Sequence, residues 1–326
     1  DKTLRKGDSG AAVRALRQRA ALLGYLPEDD TLDVYDEQLE NAIRQLQHDL
    51  NIDADGIAGQ QTFAELNIPD AQRADQIRIN LERIRWLADD ISDYYVVVNI
   101  GGYNLRLVRK GEVLWTTNVM VGKVNTKTPV FRSRMNYLVL NPTWTVPYSI
   151  THRSILPKMK ADPNYVQAHN YRIVDRNGRA ADPASLDWAS FNRSNFPYTL
   201  VQQPGPDNAL GRVKFMFPNS YSIYLHDTPS KSLFDRTARA FSAGCIRVEN
   251  PLEFARILLE GQEDWTAEKI DAVLEGGELQ NVNLANPVDV LLMYWPVMVH
   301  PDGRLGFTPD VYNLSLIHIS EPTRLD

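Results

Sequence analysis

Cysteine is almost absent from this sequence, because Cys245 is the single one among 326 residues. One cysteine excludes an internal disulfide framework and leaves a thiol that is free to react. The sequence also lacks any run of about 18 apolar residues, so it predicts no membrane-spanning helix. Basic residues are not in excess either, since 35 Lys and Arg stand against 41 Asp and Glu. This balance excludes nucleic acid as the expected partner.

The rest of the composition is that of a folded globular chain, with 43% hydrophobic and 23% charged residues. The length predicts about two domains, each long enough to bury a core. The net charge of −6 belongs entirely to residues 1–69, which hold 7 basic and 13 acidic side chains. The chain begins with Asp1 and shows no signal segment, so we interpret it as a mature or trimmed form.

The single cysteine lies in residues 242–247 (SAGCIR), nineteen positions after His226. A thiol attacks as the thiolate, and a nearby imidazole is the usual way to activate it. The glycine before Cys245 allows a tight turn that directs the N–H groups of Gly244 and Cys245 at one oxyanion. Many free cysteines only fill space. Here residues 221–229 (YSIYLHDTP) alternate like a strand that ends near His226, which favours a catalytic Cys245–His226 pair.

This combination of a histidine with a later Ser-x-Gly-Cys-hydrophobic-Arg motif resembles the L,D-transpeptidases, cell-wall enzymes of bacteria. The usual motif has a second histidine where this chain has Ala243, so His226 remains as the base. The resemblance extends over about residues 94–312 and implies a mostly β catalytic domain. It matches the larger periplasmic members of the family, so it also implies a periplasmic location.

The resemblance implies a two-step acyl transfer on peptidoglycan stem peptides. Cys245 would attack the carbonyl between the third and fourth residues of a tetrapeptide stem and release D-alanine. An amine of a neighbouring stem would then attack the thioester and form a 3→3 cross-link. The same acylation of the thiol implies inhibition by carbapenems. A covalent intermediate needs no metal or organic cofactor, and one Cys with scattered histidines does not suit zinc.

Further side chains are expected on the same face of the site. Arg247 is two positions after Cys245, so on a strand it faces the same side and can bind a substrate carboxylate; the alternative is a solvated surface arginine. Tyr224 relates to His226 in the same way and is predicted to donate to the substrate or the oxyanion; the alternative is that it only packs. Asp227 points to the other face, so we expect a backbone carbonyl to orient the imidazole instead.

Two more residues are predicted to bind substrate, each with an open alternative. Ser242 contacts the substrate or bonds the turn backbone. Trp144 forms a wall of the groove or belongs to the core. Residues 148–212, which are rich in proline, follow Trp144 and interrupt the strand pattern. The larger family members carry a capping subdomain there; the alternative is a surface excursion without a role.

The N-terminal residues 1–69 predict three short helices. Residues 4–16 and 55–62 are similar to the peptidoglycan-binding-domain-1 family, and this resemblance covers about residues 3–68. It implies peptidoglycan as a partner, and a plain helical spacer is the alternative. Apolar residues at helical spacing are expected to form the core of the three helices: Val13, Leu16, Ala20, Leu23, Leu39, Ile43, Leu46, Leu50, Phe63 and Leu66.

The predicted fold class is therefore a multidomain α+β protein with a small three-helix module and a mostly β catalytic domain. The module occupies residues 1–69, a linker helix residues 70–93, and the catalytic domain residues 94–313 with its cap at 148–212. Residues 314–326 are predicted to be a non-native tail. In the linker helix, Ile77, Leu81, Ile84 and Ile91 are expected to face the catalytic domain.

Other functions remain open from the sequence. The same fold can hydrolyse stems as an L,D-carboxypeptidase or attach a lipoprotein to the wall, and the acceptor decides among these activities. A non-catalytic peptidoglycan-binding protein is a further alternative. A papain-like peptidase is disfavoured, because there the cysteine precedes the histidine in the chain.

Overall fold

The computed structural model describes residues 3–27, 32–88, 91–162, 164–192, 194–299, 303 and 305–314. Residues 315–326 of the predicted tail lie outside the described residues. Within the described ranges, no helix is both long and apolar enough to cross a membrane. The α-helices are α1 (Ala11–Leu22), α2 (Glu37–Asp49), α3 (Gln60–Leu66), α4 (Asp70–Ala88), α5 (Tyr148–Ile150), α6 (Leu156–Ala161), α7 (Tyr165–Ala168), α8 (Pro251–Leu258) and α9 (Ala267–Gly276).

The strands lie almost entirely after residue 93. They are β1 (Tyr94–Asn99), β2 (Asn104–Arg109), β3 (Glu112–Gly122), β4 (Phe131–Leu140), β5 (Trp144–Thr145), β6 (Tyr171–Val174), β7 (Ala180–Ala181), β8 (Thr199–Gln202), β9 (Val213–Met216), β10 (Leu225–His226), β11 (Ala240–Ser242), β12 (Ile246–Val248), β13 (Gln280–Met293), β14 (Val297–Val299) and β15 (Leu305–Phe307).

Nine of these strands form one sheet in the order β11-β3-β12-β10-β9-β4-β13-β1-β2, and β2 also pairs with β3. The sheet therefore closes on itself, with β11 attached beside β3. The apolar side chains of one face fill the interior. Phe254 of α8 joins this core, where its ring stacks on Trp115 at 5.2 Å and contacts Phe215 at 4.8 Å between centroids. The predicted α+β class is confirmed.

The N-terminal module has a core of its own, formed by the predicted apolar faces of α1, α2 and α3. Leu23 is the exception, since it is 40% exposed. Gln47 is 1% exposed and fixes the turn before α3. Its amide nitrogen donates to Thr62 Oγ1 at 3.0 Å, and its amide oxygen accepts from Gly56 N–H at 2.8 Å. The nitrogen and the oxygen of the buried Gln47 amide therefore both have hydrogen-bond partners.

Helix α4 packs on the catalytic domain as predicted, but through a different face. Leu81 and Ile84 are exposed at 54% and 41%. The buried side includes the polar residues Asn80 and Arg83, which donate to backbone carbonyls of residues 294, 297 and 314. The expectation was wrong for Leu81 and Ile84, because the face that carries Ile79, Asn80 and Arg83 is buried instead. Ile91, which lies beyond α4, packs against a cluster of the catalytic domain as expected. Leu314, the first residue of the predicted tail, accepts one of these bonds at 2.7 Å.

The hairpin of β14 and β15 lies between the module and the catalytic domain. Phe307 of β15 packs against the core of the module. The Arg73 guanidinium of α4 lies over the same ring, 4.4 Å from its centroid. On another side, Thr237 Oγ1 hydrogen-bonds the Asp53 carboxylate of the module. The two domains thus contact each other at two separate places.

The segment predicted as a cap forms a compact unit. Strands β5, β8, β6 and β7 make a four-stranded sheet, and they enclose a small core with Phe196 and Leu200. Because β5 begins at Trp144, the unit starts a few residues before the expected position 148. A π-helical turn at Thr151–Ile155 joins α5 to α6.

Candidate active site

The site is built on a row of side chains across the outer face of the closed sheet. Strand pairing places His226 of β10 beside Lys214 of β9 on one side and beside Arg247 of β12 on the other. The pairing also extends the row at both ends to Met120, Val139 and Asn281. Because residues in register share a face, these side chains form one continuous surface.

A cleft of about 820 Å³ lies over this row. Its other wall comes from the cap, which contributes Trp144, Pro147 and Ile150. Trp144 also packs against the small core of the cap. Its ring therefore lines the cleft and contacts a core, the two alternatives that the sequence left open. Catalytic and ligand sites are commonly concave and apolar with a few polar groups, and this cleft has that character.

Cys245 lies at the floor of the cleft, one residue before β12. Because Ile246 pairs with Leu225, Cys245 is level with Tyr224 and diagonal to His226 on the same face. Its Sγ is partly exposed and lies 3.7 Å from the carbonyl oxygen of Ser222. The strand expected over residues 221–229 is shorter in the structure, since only Leu225–His226 is extended and Ser222 adopts a positive φ of 57°.

The turn before Cys245 is held by Ser242. The Ser242 hydroxyl donates to the Cys245 carbonyl at 2.6 Å and accepts from the Gly244 N–H at 3.0 Å. This occupies the amide that we expected to bind an oxyanion, so the structure corrects the role of Gly244. The Cys245 N–H has no hydrogen-bond partner among the described residues. Gly244 instead provides backbone conformation, with a φ of 123° that other residues rarely adopt.

The imidazole of His226 is oriented by a backbone carbonyl, as predicted. His226 Nδ1 lies 2.5 Å from the carbonyl oxygen of Asp227. A carbonyl only accepts, so Nδ1 carries the proton and Nε2 is free to accept one. The Asp227 carboxylate points elsewhere: it accepts from the N–H groups of Arg212 and Thr228 and pairs with Lys231 at 2.8 Å.

Electrostatics keep both candidate groups neutral in the free protein. Burial, assisted by the positive charge of Arg247, lowers the pKa of His226 to about 3. Burial also raises the pKa of the Cys245 thiol, although Tyr224, Lys214 and Arg247 act in the opposite direction. The resting site therefore holds a neutral thiol and a neutral imidazole, in place of the activated thiolate that the sequence suggested.

Alkylation of Cys245 by iodoacetamide should report this neutral thiol directly. We expect the rate in the folded protein to keep rising above pH 9, because only the thiolate reacts and its formation is shifted to high pH. The same chain in urea is the matched control and should titrate as a free cysteine. Intact-mass analysis gives the rate without ambiguity, since there is one thiol. An alkylation rate that stops rising below pH 8 in the folded protein would contradict the raised pKa of the Cys245 thiol.

The other predicted residues line the same cleft. Arg247 and Tyr224 both contribute to it, and the Tyr224 ring lies 5.6 Å from the His226 ring between centroids. Burial, followed by the neighbouring Cys245, raises the pKa of Tyr224, so its hydroxyl remains a donor. The sequence reasoning missed Lys214. Its signal was a lysine alternating with apolar residues in the strand VKFM, which is easily taken for a solvated surface position.

The Thr128 side chain holds the turn before Cys245 through its hydroxyl group. Its hydroxyl accepts from the Gly122 N–H at 2.9 Å and donates to the Gly244 carbonyl at 2.8 Å, and the side chain is 1% exposed.

We expect Thr128→Val to lower stability by about 2–3 kcal/mol, because two buried backbone groups lose their partner. Turnover should fall as well, since the turn carries Cys245. Thr199→Val, at an exposed strand position, is the control for thermal unfolding and activity. Equal stability of the two variants would contradict this role.

Residues 93–270 match the family model described as "L,D-transpeptidase catalytic domain" (YkuD). Residues 9–66 match the model described as "Putative peptidoglycan binding domain". The chain belongs to the L,D-transpeptidase family with the YkuD catalytic domain, which confirms the resemblance seen in the sequence.

A curated protein of Haemophilus influenzae, described as "Putative L,D-transpeptidase", is 39% identical over 237 residues. The match covers 73% of this chain and 47% of that protein, so the chain spans about half the length of this relative. Among solved structures, an L,D-transpeptidase of Xylanimonas cellulosilytica is 15% identical, with 90% of this chain and 98% of that chain covered and a TM-score of 0.29. One of Stackebrandtia nassauensis is 13% identical (89% and 94% covered, TM-score 0.31).

Proposed function

We propose that this protein is a cysteine-dependent L,D-transpeptidase that forms 3→3 cross-links between peptidoglycan stem peptides and releases D-alanine. The observation that carries the proposal is the placement of the Cys245 sulfur in a capped cleft, on the same sheet face as a histidine whose Nε2 is free. The cell envelope, in a Gram-negative cell the periplasm, is the proposed location, because the substrate lies there.

In the first step, Cys245 attacks the carbonyl between the third and fourth residues of the donor stem. Nε2 of His226 takes the thiol proton as the S–C bond forms, and the Nδ1–H bond to the Asp227 carbonyl stabilises the resulting imidazolium. The free N–H of Cys245 donates to the oxyanion. His226 then returns the proton to the departing amine, so the C–N bond breaks and D-alanine leaves.

In the second step, a side-chain amine of a neighbouring stem attacks the thioester. His226 accepts a proton from this amine and passes it to the Cys245 sulfur as the C–S bond breaks. Water competes with the amine for the thioester, and its attack would give an L,D-carboxypeptidase. The cap covers the cleft with Trp144 and Pro147 and so limits access of water.

Two partners follow from this mechanism. A carbapenem offers a strained carbonyl to the same thiol, so we propose that it acylates Cys245. The N-terminal module, which matches a peptidoglycan-binding family, is proposed to hold the protein on the wall. The attachment of a lipoprotein to the wall is the alternative activity, since it is the same acyl transfer to a different amine.

Incubation with a purified disaccharide-tetrapeptide tests the proposal. Mass analysis should show a thioester adduct on the protein and a cross-linked dimer lacking one D-alanine. A tripeptide product without dimers would indicate hydrolysis. If the stem is transferred only when a lipoprotein-derived lysine peptide is added, the activity is the attachment of a lipoprotein. Folded protein that forms neither a stem adduct nor a carbapenem adduct, yet sediments with peptidoglycan, would contradict the enzymatic function.

A further inference from the structure

Residues 123–127, which follow β3, form a surface loop that contacts the turn before Cys245. The Lys123 N–H donates to the Ser242 carbonyl at 3.0 Å, and the Thr126 hydroxyl donates to the same carbonyl at 3.1 Å. Every residue of this 123–127 loop is exposed, so buried apolar contacts contribute little to its position. The position of the loop therefore depends on hydrogen bonds, above all on those at its two ends.

A single hydroxyl group, that of Tyr312, binds both ends of the 123–127 loop. It donates to the Gly122 carbonyl before the loop and accepts from the Thr128 N–H after it, at 3.2 Å. Tyr312 is 1% exposed, and burial raises the pKa of its hydroxyl, which therefore keeps the proton that it donates. A Cβ on Gly122 would lie 2.0 Å from the Thr126 carbonyl oxygen, so the loop backbone rests directly on the end of β3.

Tyr312 is itself fixed by its neighbours. Its N–H donates to the Tyr294 hydroxyl at 3.1 Å, and the two rings stack at 5.7 Å between centroids. Its carbonyl accepts from the Lys127 ammonium at 2.9 Å. The Arg83 guanidinium of α4 donates to the Tyr294 carbonyl at 2.7 Å. A continuous series of contacts thus runs from α4 through Tyr294 and Tyr312 to the loop.

Thr128 extends this series to the thiol. Its N–H binds the Tyr312 hydroxyl, and its own hydroxyl donates to the carbonyl of Gly244, the residue before Cys245. Tyr312 is not among the described residues that line the cleft, so it acts through other groups rather than on a substrate. Proton transfer requires the sulfur and the His226 imidazole to come within hydrogen-bond reach. A small displacement of the turn therefore lowers the rate steeply.

We propose that Tyr312 is a positioning residue of the acyl transfer, whose hydroxyl holds the Cys245 sulfur in place relative to His226. It acts through the 123–127 loop and Thr128. The inference rests on the proposed function and adds to it a group that lies outside the cleft. Tyr312 fixes the nucleophile and so raises kcat, whereas substrate binding depends on the cleft alone.

Tyr312→Phe tests the inference, because it removes the hydroxyl and keeps the packing of the ring. Thioester formation with the disaccharide-tetrapeptide is followed by intact mass at several donor concentrations. We expect the maximal rate to fall about 10-fold and the half-saturating concentration to stay unchanged, because only the nucleophile is misplaced. Tyr35→Phe is the matched control, since this buried hydroxyl also donates to a backbone carbonyl, that of Gly56 at 2.8 Å, but in the N-terminal module. It should keep the full rate.

Two further measurements separate positioning from a general loss of stability. Thr128→Val and Tyr312→Phe act on the same turn, so the double variant should lose less than the product of the two single losses. The alkylation of Cys245 by iodoacetamide should shift to lower pH in Tyr312→Phe. A looser turn admits water to the sulfur and weakens the burial that raises its pKa. All rates are taken at a temperature at which circular dichroism shows each variant to be folded.

Lys127→Met is a second variant that perturbs the same series without removing a buried group. The Lys127 side chain is exposed, so we expect the variant to fold even if Tyr312→Phe does not. It removes the ammonium that binds the Tyr312 carbonyl, and we expect the maximal rate to fall about 3-fold. An unchanged rate in this variant would contradict the role of Tyr312.

Equal maximal rates in Tyr312→Phe and Tyr35→Phe would overturn the inference alone. A loss confined to the half-saturating concentration, or fully additive losses in the double variant, would overturn it as well. A wild type that forms no thioester would instead remove the proposed function. The alkylation profile would then still decide whether Tyr312 holds the sulfur, because iodoacetamide needs no transferase activity: a shift would support this placement and an unchanged profile would refute it.

Discussion

A Cys245→Ala variant is expected to lose cross-linking by at least about 10⁴-fold, because removal of a nucleophile abolishes the covalent route. Cys245 is the only thiol of the chain, so no neighbouring sulfur can substitute for it. Its side chain is partly exposed at the floor of the cleft, so we expect thermal unfolding to change little. The loss should therefore appear in activity and not in folding.

Three readouts on the same sample make this prediction sharp. Dimer formation, the thioester adduct and the carbapenem adduct should all vanish together in Cys245→Ala. His226→Gln is the informative companion, since the thiol remains while the general base is gone, and we expect a loss of about 10²- to 10⁴-fold. Dimers formed at an undiminished rate by Cys245→Ala would show that another group carries the acyl chain.

Gly211→Ala is expected to damage both stability and activity, although it lies outside the cleft. Gly211 has a φ of +62°, and a Cβ there would lie 2.3 Å from the carboxylate carbon of Asp227. Asp227 is 6% exposed and anchored by the N–H groups of Arg212 and Thr228, so it cannot move freely. Its displacement would shift the carbonyl that orients His226.

We expect Gly211→Ala to be destabilised by about 3–5 kcal/mol, from left-handed strain and overpacking together. A misplaced imidazole should reduce kcat by about 100-fold. Gly178→Ala is the matched control, because it has a φ of +77° but meets no atom within 4 Å. The difference between the variants in urea unfolding isolates the contact with Asp227. Equal effects would show that backbone strain alone matters.

The sequence predicts this site well where the signal is local. The Ser242–Cys245 turn, the position of His226 and the direction of Asp227 all depend on spacing within a few residues. The turn at Lys110 and Gly111 is also local: both residues have positive φ, 51° and 83°, and they join β2 to β3. Such two-residue turns are typical of hairpins.

The features that the sequence reasoning missed depend on contacts between distant segments. Lys214 becomes a cleft residue only because β9 pairs with β10. The exposed face of α4 follows from hydrogen bonds of Arg83 to residues 294 and 314, more than 200 positions away. The Gly244 amide is a local exception, because the Ser242 hydroxyl two residues earlier accepts its hydrogen bond. None of these contacts leaves a mark in the local pattern of apolar residues.

The position of Phe307 has a consequence for biosynthesis. This ring packs on the core of the module, which precedes it in the chain and is therefore synthesised earlier. Domains generally fold as units during synthesis, the N-terminal one first. The module can therefore fold before β15 is synthesised, and this docking contact forms only afterwards. Nascent chains that stop short of Phe307 would lack this contact and would leave the apolar surface that the ring covers open to proteases, even where Thr237 already bonds Asp53.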